Sequence, residues 1–405
     1  MITTAIIFFA TYTAIAIGRV PGFRIDRTGA ALIGATLLLV FHCISFDEAY
    51  RALNYRTLIL LFGMMLVVAN LRLSGFFRWI GARIVTTTKG PKQLLAGIIL
   101  SSGLLSAFFV NDTVCLIFTP LILVVCKQLE VSPLPYLLAL ATSSNIGSVA
   151  TITGNPQNMI IGTFSHLSYR EFTFALAPVA IIGLIIDFFL ISWIYHSKLS
   201  WPAETLRVSP RTRVFRPLLI KSLTASLVMI VLFFIGADVS LVALAAGVAI
   251  MITRRVKPQK IYRQIDWELL MLFAGLFVII AAVERSGLSR EFFLWAGEKR
   301  LNYIPSLAAV VAILSNVVSN VPAVLLFQTF IGGLADPKKG WLVLAMASTL
   351  AGNLTILGSI ANLIVVESAR DTIEISFWEY CKLGIPLTLI TLALGVIWLV
   401  SGLVS

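Results

Sequence analysis

Charge is scarce in this sequence. Only 12% of its 405 residues are Asp, Glu, Lys or Arg, about half the share of a soluble domain. With 59% apolar residues and a mean hydropathy of +0.96, the composition is that of an integral membrane protein. Histidine is scarcer still. His42, His166 and His196 are scattered, with no HExxH and no Cys/His cluster, so no metal centre is expected. Neither a GxSxG nucleophile elbow nor a GxxxxGK[ST] phosphate loop is present, so the chain does not read as an enzyme and does not hydrolyse ATP by itself. Its four cysteines, Cys43, Cys115, Cys126 and Cys381, lack paired spacing and lie in or beside apolar segments, where free buried thiols are expected.

Long uncharged runs fill the chain, at residues 2–18, 28–45, 57–71, 93–110, 174–195, 222–237 and 239–253. Most approach the roughly 20 residues that cross a hydrocarbon core as helix. No Lys or Arg precedes the first run, and Arg19, Arg24 and Arg27 follow it, so it reads as a retained first helix and not a cleaved signal. The net charge of +12 has no soluble domain on which to form a nucleic-acid face. A loop bias toward the cytoplasm explains it more simply.

An internal repeat sets the architecture. AYRALNYRTLILLFGMMLVVANLRLSG at 49–75 matches IYRQIDWELLMLFAGLFVIIAAVERSG at 261–287, an offset of 212. SAFFVNDTVCLIF from Ser106 matches SNVVSNVPAVLLF from Ser315, an offset of 209, and TITGNPQN ending at Asn158 matches TILGSIAN ending at Asn362, an offset of 204. The expected division is a first repeat over 1–195, a basic cytoplasmic linker over 196–217 and a second repeat over 218–401. The expected hairpins cover 93–127 and 304–334, and the expected broken helices 134–163 and 341–366. The stretch 93–126 is too long for one helix and has a polar middle, so it is expected to turn at Asn111-Asp112-Thr113 and leave by the side it entered. Each half then has an odd number of passes, and the halves are inverted.

The fold class that follows is an all-α polytopic membrane protein with two inverted-topology repeats, about ten transmembrane helices, two re-entrant hairpins and two broken helices. With the linker in the cytoplasm, twenty Lys and Arg fall inside and nine outside, and both termini lie outside. Residues 76–88 and 289–300 mix aromatics with cations and read as interfacial amphipathic helices, or as loops anchored by Trp79 and Trp295. Glu379 and Lys382 are spaced to pair across one turn, and Glu284 and Arg285 are expected at the interface.

Polar backbone breaks at membrane depth are tolerated only where they face protein or a watery cavity, and paired breaks in inverted halves point to a transporter's binding site. The candidate binding residues are Asn111, Asp112, Thr113, Ser144, Asn145, Gly154, Asn155, Pro156 and Asn158 in the first half. Ser319, Asn320, Asn353, Thr355, Gly358, Ser359 and Asn362 are their counterparts in the second. A broken helix offers free N–H groups to anions and free carbonyls to cations. Small polar residues also serve plain helix packing, but four breaks at matched positions favour a site. Asp112, whose repeat mate is Val321, either binds the coupling cation or proton or caps the helix after it. Asp187, the other deep acid, either pairs with another helix or handles protons.

At these residues the chain resembles the ion transporter superfamily, in particular the arsenite permease and sodium/proton antiporter-like branch related to the divalent anion:sodium symporters. The family's hairpin-tip and Gly-x-Pro-x-Asn motifs correspond to Asn111-Asp112-Thr113, Gly154 to Asn158, Ser319-Asn320-Val321 and Gly358 to Asn362. Asp112 in one tip, Val321 in the other and Ile360 in place of a proline depart from the dicarboxylate pattern, and VNDTVCLIFTP is closer to the arsenite branch. The resemblance implies elevator-type alternating access, a homodimer and, for an arsenite-type permease, a separate soluble ATPase partner. The leading expectation is secondary active transport of a small anion or oxyacid in the plasma membrane, with no cofactor beyond a coupling proton or sodium ion. Sodium/proton antiport and di/tricarboxylate symport are the alternatives.

Overall fold

The computed structural model describes residues 1–18, 25–199, 214–253, 256–288, 291 and 301–401, and every regular element among them is helical. The first half comprises α1 (Ile2–Ile17), α2 (Arg27–Val40), α3 (Phe46–Ala52), α4 (Tyr55–Ser74), α5 (Phe76–Thr87), α6 (Pro91–Phe108), α7 (Asn111–Gln128), α8 (Leu134–Ser148), α9 (Pro156–Phe164) and α10 (Tyr169–Ile194). The second comprises α11 (Arg216–Ile235), α12 (Val239–Met251), α13 (Pro258–Tyr262), α14 (Trp267–Arg285), α15 (Ile304–Val318), α16 (Asn320–Ile331), α17 (Pro337–Ala351), α18 (Ile360–Ala369) and α19 (Phe377–Val400). Local chemistry marks their ends. Capping boxes from Ser45 with Glu48 and from Ser168 with Glu171 open α3 and α10, and Gly75, at φ 85, closes α4.

Seven of these helices are long and apolar enough to cross a membrane. Others are shorter than their apolar runs. The run 28–45 yields only the 14 residues of α2, because His42 takes a positive φ of 54 and folds the chain back. In α8 every residue is buried, and α17 is buried from Gly340 onward. The two interrupted helices are therefore the protein's core, where irregular backbone is shielded from lipid.

Two close approaches show how the halves are joined. A Cβ on Gly63 in α4 would lie 2.6 Å from the carbonyl carbon of Ala243 in α12, and one on Gly275 in α14 would lie 3.0 Å from that of Ala31 in α2. Both glycines and both alanines are related by the offset of 212, so each half lends a helix to the other across a crossing that only small residues permit.

Ion pairs between the halves test the inversion. Arg56 meets Asp238 at 3.7 Å, Lys338 meets Glu171 at 3.1 Å, Arg285 meets Glu48, and Lys198 meets Glu379 at 3.2 Å. The first three join segments assigned to the outer side, the last joins two assigned to the inner side, and parallel halves would mismatch them. Glu379 thus pairs with Lys198 and not with Lys382, whose ammonium instead lies 5.9 Å from the Tyr195 ring centroid. A partner on another chain segment places the opposite charge more directly than a neighbour one turn away.

The segment 76–88 forms α5, which buries Phe76, Phe77, Gly81 and Ala82 and exposes Trp79. Its proposed counterpart at 289–300, with Trp295, lies outside the described residues, apart from Glu291, as does most of the linker, residues 200–213. Cys115, Cys126 and Cys381 are buried, whereas Cys43 is half-buried.

Candidate substrate and ion site

Helices α6 and α7 form one hairpin and α15 and α16 another. The first turns at Phe109 and Val110, so Asn111, Asp112 and Thr113 make the opening turn of α7 and not the bend between the arms. The second turns at Ser319, whose φ of 76 and ψ of 157 fall in a region nearly reserved for glycine. Such strain costs about 1–3 kcal/mol and persists only where neighbours over-determine it. Here Asn320 does so. With its amide nitrogen facing them, it reaches Ser348 O at 3.1 Å, Gly358 O at 3.2 Å and Ser315 Oγ at 2.7 Å.

The two broken helices are bridged in the same way. Asn158 Nδ2 donates to Ser148 O and Thr151 O, each at 3.0 Å, bridging the gap between α8 and α9. Asn362 Nδ2 donates to Gly352 O at 2.7 Å and Thr355 O at 3.0 Å, the repeat-related carbonyls between α17 and α18. Asn155 caps α9, accepting from Asn158 N at 2.8 Å, and Ser359 caps α18, accepting from Ala361 N at 3.2 Å. Gly154 is required where it stands, since a Cβ there would lie 2.7 Å from Ser148 Cα. Its carbonyl accepts from Asn111 N at 3.1 Å, which ties the first tip to the first break.

Asn145 holds the halves together. Its Oδ1 accepts from Asn111 Nδ2 at 2.9 Å and Ser359 Oγ at 3.0 Å, and its Nδ2 donates to Asn353 Oδ1 at 2.9 Å and Asn362 Oδ1 at 3.0 Å. A second link runs from Asn155 Nδ2 to Thr349 Oγ1 at 3.1 Å.

All four interruptions border one cavity. Asn111 and Asp112 from α7, Pro156 and Gln157 from α9, Ser319 through Pro322 at α16, and Ser359 and Ile360 at α18 line it. Four helix N-termini therefore meet there, and their first-turn N–H groups and positive dipole ends favour negative charge. Ile15, Arg27, Leu269 and Leu272 close the wall. Asp112 also borders a second recess with Thr113, Arg72, Gln264 and Asp266. It stands in the first turn of α7 and lines both spaces.

Other candidates stand back from the cavity. Ser144 donates to Ala141 O at 2.9 Å and lies 3.0 Å from Cys115 Sγ, in the seam between α7 and α8. Asn158, Asn353 and Asn362 support the breaks from behind, and the Thr355 hydroxyl meets Asn316 Oδ1 at 3.3 Å. Gly358 sits where a Cβ would lie 2.7 Å from Asn316 Oδ1. Asp187 is fully buried in α10, and Thr142 Oγ1 contacts its two oxygens at 2.9 and 3.0 Å. That hydroxyl belongs to α8, so Asp187 is tied to the back of the first broken helix. Arg27 was legible only as a loop cation; a guanidinium aimed inward from the first residue of a helix leaves no sequence pattern.

Two oppositely oriented halves that bring four helix starts to one cavity are the architecture of a multi-pass membrane transporter, and its relatives are transporters, not enzymes. A family model described as Citrate transporter, CitMHS, matches residues 12–351, and the chain belongs to that family. The silicon efflux transporter LSI3 of Oryza sativa subsp. japonica is 30% identical, with 93% of each chain covered. A Dictyostelium discoideum chain bearing the transporter name arsB is 26% identical over 92% of this chain and 87% of its own. The crystal structure of the Alcanivorax borkumensis YdaH transporter, titled as revealing an unusual topology, shares the fold with a TM-score of 0.62 at 14% identity, covering 99% of this chain and 96% of its own.

Proposed function

We propose that this protein is a secondary active transporter of a small anion or oxyacid, driven by a proton or sodium gradient through alternating access. The observation that carries this reading is the convergence of four helix N-termini on one cavity. Relatives named for silicon efflux and for arsB agree with a small oxyacid, and the family description keeps citrate among the probes. Asp112, the one carboxylate lining that cavity among the described residues, is the coupling group in this reading. The same residue favours a second reading, sodium/proton antiport with no co-transported anion.

In this reading the protein sits in the plasma membrane, and the charge bias supports a cytoplasmic side for the 19–27, 72–92 and 254–263 segments, with both termini outside. A homodimer, and a soluble ATPase partner for an arsenite-type permease, follow from the resemblance alone.

Flux into proteoliposomes of arsenite, orthosilicic acid, sulfate, phosphate, succinate and citrate, under sodium and proton gradients, tests the proposal. Gradient-driven uptake of at least one solute is expected, with coupling lost in Asp112→Asn. Sodium/proton exchange with no flux of any of these solutes selects the antiport reading instead.

A further inference from the structure

The cavity has one cationic wall. Among the described residues lining it, Arg27 is the only Lys or Arg, and none of the ion pairs of the described residues includes it. Half-buried, its guanidinium is laid across the C-terminal end of α1, where a Cβ on Gly18 would sit 3.5 Å from Nε and 3.7 Å from Nη2. The negative dipole end of α1 favours a cation there and leaves its charge available.

Geometry gives the charge a side. Arg27 opens α2, and Thr28 Oγ1 donates to Glu268 O at 3.2 Å, so the starts of α2 and α14 stand together. Leu269 and Leu272 of α14 line the same cavity, and the recess beyond Asp112 is bordered by Arg72, Gln264 and Asp266. All of these belong to the end of the molecule that carries the cation-rich segments. The position related to Arg27 by the offset of 212 is Val239, at the start of α12 on the opposite side. In an inverted-repeat transporter the opposite-facing state exchanges the roles of the two halves, so an apolar residue then occupies the place of the arginine.

We propose that Arg27 is an anion contact that the cavity offers on the cytoplasmic side alone, and that the transported solute therefore carries negative charge. This rests on the transport reading above and narrows it: a neutral acid such as orthosilicic acid or arsenite gains little from a guanidinium, whereas a carboxylate or oxyanion gains a charge-assisted, two-pronged bond. The contact also makes the two faces unequal, with tighter binding from the cytoplasm.

Everted and right-side-out vesicles holding the full chain, or its Arg27→Gln and Arg27→Lys variants, are assayed with citrate, phosphate, sulfate, arsenite and orthosilicic acid. For wild type, an anion is expected among the solutes moved, with the lower KM at the cytoplasmic face. Arg27→Gln raises that KM about tenfold, the worth of one hydrogen bond to a charged group, and leaves the external KM within about twofold. Arg27→Lys, which keeps the charge and the packing of the stem, recovers part of the loss. The inference is overturned if only arsenite or orthosilicic acid is carried, or if Arg27→Gln leaves both faces unchanged. An equal change at both faces in Arg27→Gln and Arg27→Lys overturns it too, since it assigns Arg27 to anchoring α1. Movement of none of the five solutes rejects the transport reading itself, and the inference with it.

Discussion

Asn145 uses every hydrogen-bonding position it has inside the protein, two as acceptor and two as donor, and is 2% exposed. Removing its amide strands four buried partners at once: Asn111, Ser359, Asn353 and Asn362. Leaving buried polar groups unpaired is among the costlier single changes. Asn145→Ala is expected to lose roughly 2–5 kcal/mol, read as a clear fall in the melting temperature of the purified protein in detergent. A variant that melts with wild type would show that these bonds are dispensable. From sequence, Asn145 and Ser144 look alike, adjacent polar residues before a break. Only packing separates them, because one step along a helix turns a side chain by about 100°, carrying Asn145 toward the other half and Ser144 into the seam with Cys115.

The helices whose identity was plain from sequence are those whose packing repeats. Gly63 and Gly275 recur because each sits at a crossing too tight for a side chain, so the same physical demand is written twice. Gly63→Val forces α4 away from the α12 backbone, where even a Cβ would lie 2.5 Å from Leu244 N. Overpacking of this kind costs about 1–3 kcal/mol or more. Its expected signature is loss of the monodisperse peak in size-exclusion chromatography, while Gly332→Ala, where a Cβ meets nothing within 4 Å, elutes as wild type. Equal behaviour of the two variants would remove the close crossing. Helix ends were less legible. The apolar run through residue 45 hid the turn at His42, since hydropathy registers composition and not a reversal of the backbone. The first hairpin bend was likewise displaced from its polar triplet. Asn111, Asp112 and Thr113 begin the returning helix after a bend made by Phe109 and Val110, whereas Ser319, first of the second triplet, is itself the bend.

At the scale of the molecule, inversion follows from a parity argument on one segment, and the ion pairs between halves agree with it. In a chain freed of its four native cysteines, single-cysteine variants at Lys338 and Glu171 are expected to react with an impermeant maleimide from outside intact cells. A cysteine at Lys198 should react only after permeabilisation. Labelling of Lys338 and Glu171 positions from opposite faces would break the inverted arrangement. The sequence carried this much because charge bias and repeat spacing act along the chain. It could not carry Arg27's aim, which depends on where the end of α1 comes to rest.

The exchanged helices have one more implication. With α2 lodged against the second half, α12 against the first, and amide bonds stitching α8 to α18 and to the break before it, the amino- and carboxyl-terminal halves are braided and cannot serve as opposing jaws. In the alternating-access reading proposed above, the part that travels is a composite cut from both, passing a frame that is itself woven from both.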